Sequence, residues 1–456
     1  DVIVVGGGPV GMLVAAELAL QGVRVIVLEA RTEVDERPRA GTVHARTLSL
    51  LARRGYVAGS PADALADSAG RVRRTPFQFA AQPILTITAP AAEPAPIAGI
   101  PQARLEAAFE ARARELGATI ARGNTVTAVE AGSDSVRVEF APVESPHEVT
   151  SIVARYCVGA DGARSTVARS GDFPEVDYPA TMNAIAALAV PVSDRQPPPG
   201  WNSTPTGWTM HNPNPYGKSR LIAMDFSGPA ERGVVPTESE YIDTLGTVLG
   251  AEQDVSDVSH LTRFSDYGRY RTRLHDGRLL LAGDAAHVHY PLGGQGLNSG
   301  MQDAIALGWR LARVLRGHDA PSVFEDYSRE RVAVADAVVG NTVLQSRMMN
   351  PATTDLRDAV SAMLRVPQVH DAIADLISGQ FQENFQHDLV VTDDDGEAQT
   401  LSSLLTAGRF VAIRPDEHTP LPSLPADTIV ATGKVAPEQP WTTAVIRPDG
   451  YLAVID

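Results

Sequence analysis

The chain has 456 residues, 44% hydrophobic and 21% charged, the make-up of a globular protein long enough for two or three domains. Its formal net charge of -16 argues against nucleic-acid and anionic-membrane partners, since both need a basic face. The one cysteine, Cys157, excludes an internal disulfide and any CxxC redox or metal site, so a cytoplasmic, reducing home is expected.

No apolar run reaches the length of a membrane span, and the start reads as a strand rather than a leader. That strand, Asp1 to Val5, leads into Gly6-x-Gly8-x-x-Gly11 and then an apolar-periodic run, Met12 to Leu20, that reads as a helix. The three glycines have separate tasks in a dinucleotide-binding turn. Gly6 permits the tight bend, Gly8 lets a pyrophosphate reach the backbone, and Gly11 lets helix and strand pack closely. The helix start turns free N–H groups and a positive dipole end toward the phosphates. A second strand, Val23 to Leu28, ends in Glu29, eighteen positions after Gly11, where an acid can take ribose hydroxyls.

The loop Thr32 to Arg39 follows. Its arginines, with Arg31, can hold pyrophosphate or simply be solvated. Thr42 to Leu51 reads as a helix with Leu48 and Leu51 inward. Residues 57–100 read as a hairpin-like excursion, with alternation at Ile84-Leu85-Thr86-Ile87. Pro101-Gln102 opens a helix to Leu116 that Gly117 stops, and strands are expected at Val126–Val129 and Val136–Phe140. Next, an apolar strand carrying Cys157, read as a small core residue, delivers Gly159-Ala160-Asp161-Gly162 into a turn before a helix. Asp161 can cap that helix or contact a ligand.

Residues 172–272 change character. Pro-rich loops and β-type stretches at Ala184–Val190 and Arg220–Phe226 predict a sheet outside the dinucleotide unit; its Trp201, Trp208, Met210, His211 and Phe226 more often build a core than a pocket, but this segment is also the natural place for a substrate floor. The strand Leu279 to Ala282 then delivers Gly283-Asp284, followed by Pro291 and Gly294-Gln295-Gly296-Leu297-Asn298, and an amphipathic helix ending at Gly317. An acid at a strand end, a Gly-rich loop and a helix start together hold a polar ligand head against backbone amides. His287-x-His289 lacks a third ligand at a telling spacing, so no metal is expected. From about residue 380 the chain restarts as a small α/β module ending in a hairpin turned by Pro448-Asp449-Gly450.

In order and spacing, the Gly6-x-Gly8-x-x-Gly11 start with Glu29, the Asp161-Gly162 turn and the run from Gly283-Asp284 to Asn298 resemble the group A flavoprotein monooxygenases, the para-hydroxybenzoate hydroxylase superfamily. Within it the chain looks most like the aromatic polyketide hydroxylases of antibiotic biosynthesis, over its whole length. The resemblance implies an α/β fold: a Rossmann-type FAD-binding domain (1–171 and 273–375), an inserted β-sheet substrate domain (172–272), and a C-terminal thioredoxin-like domain (380–456) without its CxxC. It implies FAD, with Gly6, Gly8, Val10, Gly11, Glu29 and Ala30 around the adenosine half and Arg39 at the phosphate–ribitol region. It puts Gln102 at the ribityl chain, the Val126 backbone at the adenine, and Asp161, Gly162, Gly283 and Asp284 on FAD oxygens. Pro291, Gly294, Gly296, Leu297 and Asn298 would lie along the flavin ring. Arg46 and Pro291 would stand close to the reacting centre, and Trp208, Met210 and Phe226 would face substrate.

The implied chemistry is oxygen addition at C4a of the reduced flavin and transfer from that hydroperoxide to a phenolic ring. Position and dryness then matter more than an acid–base dyad, and none is evident. NADPH (or NADH) would bind transiently at the surface, because only one dinucleotide fingerprint is present. Partners are expected to be a small aromatic polyketide and molecular oxygen, the protein a monomer or homodimer. Baeyer–Villiger insertion and drug-inactivating hydroxylation use the same scaffold and stay open; a non-catalytic flavin or polyketide binder is the rival of another class.

Overall fold

The computed structural model describes residues 1–37, 40–59, 71–191, 197–231, 233–251 and 255–455. Its central sheet has Val2–Val5 in the middle, parallel to Val25–Glu29 on one side and Tyr156–Gly159 on the other. Thr119–Arg122 extends it past Val25–Glu29, Leu279–Leu281 past Tyr156–Gly159, and His275–Asp276 closes that edge antiparallel. Val2–Val5, Val25–Leu28 and Leu279–Leu281 are continuous Val, Ile and Leu because both faces are covered. Helix α1 (Pro9–Leu20) is buried from Gly11 to Ala19. It packs against two later helices, which is why it is apolar on nearly every side. It begins at Pro9, three residues before the expected Met12, since proline fits the first helical position. Cys157 lies fully buried in the sheet, as read.

The expected helix from Thr42 is shorter. Thr42–His44 is a strand paired with Ile97–Gly99, and helix α2 (Ala45–Arg53) starts only after it. The Asn298 side chain fixes this strand by accepting from the His44 N–H and donating to the Thr42 carbonyl. The excursion is a hairpin, Val72–Phe79 with Gln82–Pro90, and helix α3 (Gln102–Glu115) stops before Gly117 as expected.

Residues 183–264 build a separate five-stranded antiparallel sheet, in the order 200–203, 207–212, 219–225, 183–191, 255–264. Alternation divides its faces. Ile185, Ala187, Leu221 and Ala223 pack under the helix Glu238–Leu249; Ala184, Ala186, Ile222 and Met224 face a second core shared with Phe79 and Ile87 of the hairpin. Helix α4 (Gln295–Leu315) flanks α1. Helix α5 (Val323–Met349) ends in that second core through Met348 and Met349, with Leu364 and Ile377 of the following helices.

The C-terminal module has its own core around Leu389, Leu401, Val411, Ile413 and Ile446. It docks through buried charge: Arg54 pairs with Glu17 and donates to the Leu405 and Pro448 carbonyls, while Glu330 and Asp449 hold Arg447. No helix among the described residues is long and apolar enough to cross a membrane.

Candidate active-site cleft

A cleft of about 960 Å³ runs from the tips of the central strands to the inner face of the five-stranded sheet. At the strand end the backbone itself shapes the site. Gly6 sits at φ +96°, and a methyl on Gly11 would lie 1.9 Å from the Gly6 carbonyl oxygen, so both glycines serve the turn. Gly8 differs: its backbone is extended, and its nearest neighbour would be the Arg31 Nη2 at 3.8 Å. The space it leaves opens into the cleft. No side chain caps α1, so its first-turn amides face an incoming anion.

Glu29 is buried beside this loop. One oxygen accepts from the Gly7 N–H at 2.5 Å and the other from the Arg31 N–H and Nε. Burial by itself raises its pKa, but the Arg31 and Gly7 donors outweigh that and hold the carboxyl below the usual range. Three of about four acceptor positions are filled, leaving one for a hydroxyl in the cleft. Asp161 divides its oxygens. Oδ2 accepts from the Thr166 N–H at 2.6 Å, as a cap, while the buried Oδ1 has no partner. Burial pushes this carboxyl up against the pull of Ser165 and Thr166. Capping thus uses one oxygen and leaves the other open toward a ligand. These features fit an adenine dinucleotide: a cradle that a methyl at Gly8 would fill, an open acceptor on Glu29, and an orphaned oxygen on Asp161.

Of the other sequence-predicted residues, Val10, Ala30, Gln102, Val126, Gly162 and Asp284 line the same cleft. So do Pro291, Gly294, Gly296 and Leu297, where Gly293 and Gly294 adopt φ +73° and +66° to bring α4 up without a side-chain cap. Gly11 and Gly283 support rather than line it. Gly283 packs against Val10, and its N–H goes to the buried Asp303. Asp303 also binds His287 Nε2 at 2.7 Å and Arg331 Nε at 2.6 Å, and that triad fixes the Gly283-Asp284 turn. Nothing in the sequence pattern singles out Asp303 or Arg331, each one polar position on a long helix. Among the described residues no cluster suited to a metal ion is found.

Five expected site residues need correction or lie outside. Arg46 does not reach the cleft. Its guanidinium lies 3.4 Å over the Phe385 ring and its Nε donates to the Gly379 carbonyl, because this side of α2 faces the C-terminal module. Asn298 is spent on the Thr42–His44 strand and the Gly294 carbonyl. Trp208 is buried in the second core, its indole N–H donating to the Met349 carbonyl at 2.6 Å, and Phe226 packs at that core's margin. Arg39 lies outside the described residues.

Met210 lines the apolar end, together with Phe77, Trp201, Phe264 and Tyr290. His289 stands at the join: burial lowers its pKa to about 4, its Nδ1 hydrogen-bonds the Tyr290 carbonyl, and its Nε2 has no partner. Phe77 and Phe264 come from distant segments, so no local spacing could have grouped them with Met210.

Residues 1–342 match the FAD binding domain family. The 12-dehydrotetracycline 5-monooxygenase/anhydrotetracycline 6-monooxygenase of Streptomyces rimosus is 33% identical, over 99% of this chain and 94% of its own. The dialkyldecalin synthase of Streptomyces rugosporus is 30% identical, over 99% and 95%. Among solved structures, CabE, an aromatic hydroxylase from angucycline biosynthesis, superposes with a TM-score of 0.85 at 28% identity, covering 100% of this chain and 96% of that one.

Proposed function

The chain belongs to the FAD binding domain family, among the group A flavoprotein monooxygenases, and from that premise we propose that it hydroxylates an aromatic polyketide of antibiotic biosynthesis at the expense of NADPH or NADH. The observation that carries this reading is the continuity of one cleft. Gly8, Glu29, Asp161 and Asp284 stand at one end, and Trp201, Met210, Phe264 and Tyr290 at the other. Bound between them, FAD would supply the chemistry by which two electrons from the nicotinamide reduce molecular oxygen, one oxygen atom going to the substrate and the other leaving as water.

The protein's own part is binding, orientation and dryness. Gly8 admits the pyrophosphate and Glu29 takes a ribose hydroxyl. Asp161, Asp284 and Gln102 meet polar oxygens of the cofactor, and Arg39 is assigned to the phosphate–ribitol region. The uncapped start of α4 at Gly294 to Leu297 offers amides and a positive dipole end to negative charge on the flavin ring. The apolar walls exclude water from the oxygen-transfer zone. We read 1–171 with 273–375 as the cofactor domain and 172–272 as the substrate domain. The C-terminal module is read as thioredoxin-like, a reading supported by its strand order 429–432, 411–414, 444–446, 452–455, in which the first pair is parallel.

The test is NADPH consumption by the purified yellow protein, with and without multi-ring phenols, with products read by mass. Stimulated oxidation and a gain of one oxygen is the expected result. Product formation without oxygen gain would favour a non-oxidative reaction instead, the second reading, which rests on the likeness to a dialkyldecalin synthase. No stimulation across the panel would sink the hydroxylase reading.

A further inference from the structure

The apolar end of the cleft holds one charged side chain that its walls do not account for. On the strand Ser219–Asp225, Leu221 and Ala223 turn to the helix beneath, while Arg220, Ile222 and Met224 line the cleft. Arg220 is half-buried there and, among the described residues, makes no side-chain hydrogen bond, ion pair or ring contact. Burial lowers its pKa, and no acidic group acts in the opposite sense. Arg263, on another strand of the same sheet, shows the ordinary arrangement: it is held by Glu240 at 2.7 Å and by Asn183. The acids lining the cleft, Glu29, Asp161 and Asp284, belong to its cofactor end.

A guanidinium partly withdrawn from water without a counter-charge costs stability, and the residues that line the cleft with it on this sheet, Trp201, Met210 and Ile222, give nothing back. A ligand oxygen would. We propose that Arg220 recognises an acidic oxygen pair on the substrate: an enolised 1,3-dicarbonyl, or a phenolate beside a carbonyl. The proposal rests on the polyketide reading above and adds to it the chemistry of the edge that is held. The planar fork of donors matches two such oxygens side by side, where a lysine would act only as a point charge. Holding that edge at Arg220 fixes the ring system lengthwise in the cleft, so it decides which carbon is presented toward Pro291 and the cofactor end.

The experiment compares wild-type holoenzyme with R220Q and R220K. The probes are 1,8-dihydroxyanthraquinone and its dimethyl ether, and binding is followed by quenching of tryptophan emission and by the flavin spectrum. The expected result is a loss of about 10- to 100-fold for the dihydroxy probe in R220Q, the range for a hydrogen bond to a charged group. R220K should fall between, the dimethyl ether should bind all three alike, and FAD content and the NADPH dependence of NADPH oxidation should not change. Equal loss for both probes, or no loss, overturns the assignment and leaves the polyketide reading standing. A weakened NADPH dependence with unchanged probe binding also overturns it, and gives Arg220 to the nicotinamide cofactor. If neither probe binds wild-type holoenzyme, the polyketide reading falls and the assignment with it.

Discussion

The glycines of the first loop can be separated by function, because Gly11 is required by the fold and Gly8 is not. In Gly11→Ala the new methyl would start 1.9 Å from the Gly6 carbonyl oxygen. Ordinary contact is about 3.5 Å, so strand and helix must part by about 1.6 Å. Overpacking of that kind costs about 1–3 kcal/mol, which lowers the unfolding midpoint of the flavin-free protein by about 1–5 °C. In Gly8→Ala the methyl meets nothing closer than Arg31 Nη2 at 3.8 Å, and the extended backbone suits alanine. The flavin-free protein should therefore melt like wild type. FAD should nevertheless bind about 10- to 100-fold more weakly, since the methyl occupies the surface that the pyrophosphate approaches and its charge-assisted bonds are worth about 1.5–3 kcal/mol. Calorimetry of the stripped proteins and titration by flavin fluorescence check both statements. A Gly8→Ala protein that melts as low as Gly11→Ala, or that binds FAD like wild type, would refute the reasoning.

Further outcomes are expected elsewhere. Trp208→Phe removes the hydrogen bond to the Met349 carbonyl in the second core, costing about 1–3 kcal/mol, with substrate affinity unchanged; Trp201→Phe, at the cleft wall, should do the reverse, and denaturation paired with binding titration decides. The junction of the C-terminal module should weaken in acid. Burial alone would raise Asp449 and Glu93, but Arg447 and Arg310 around the first, and His387 and Arg53 around the second, hold both at about 2. Their folded values lie below the unfolded ones, so the contribution is complete above about pH 5 and is lost as pH falls toward 2. Tryptophan emission from Trp309 and Trp441 against pH should report it, and Asp449→Asn should flatten the slope; an unchanged slope would count against the pairing. Cys157, fully buried and with its thiol pKa pushed up by burial, should react with a thiol reagent only on unfolding. Labelling of the native protein at the rate of a free thiol would contradict its place in the sheet.

The sequence by itself determined the cofactor end of this protein. There the chemistry is local: a strand, a turn of glycines and a helix start are contiguous, and Glu29, Asp161 and Asp284 each stand at the end of an apolar run that must be a buried strand. The second and third motifs add their acids to the first because parallel pairing of 2–5 with 156–159, and of that with 279–281, brings the strand ends to one edge. Tertiary structure decided the rest. Trp208 and Met210 share a face of one strand by alternation and both touch the second core, yet Trp208 is closed off there with its N–H on the Met349 carbonyl, while Met210 also reaches the cleft. The family resemblance put Arg46 close to the reacting centre, but Phe385, more than three hundred residues later, takes its guanidinium. The apolar end is assembled from the hairpin, the five-stranded sheet and the loop after Asp284. No spacing within any one segment carries that information, because the contacts that define it are made between segments.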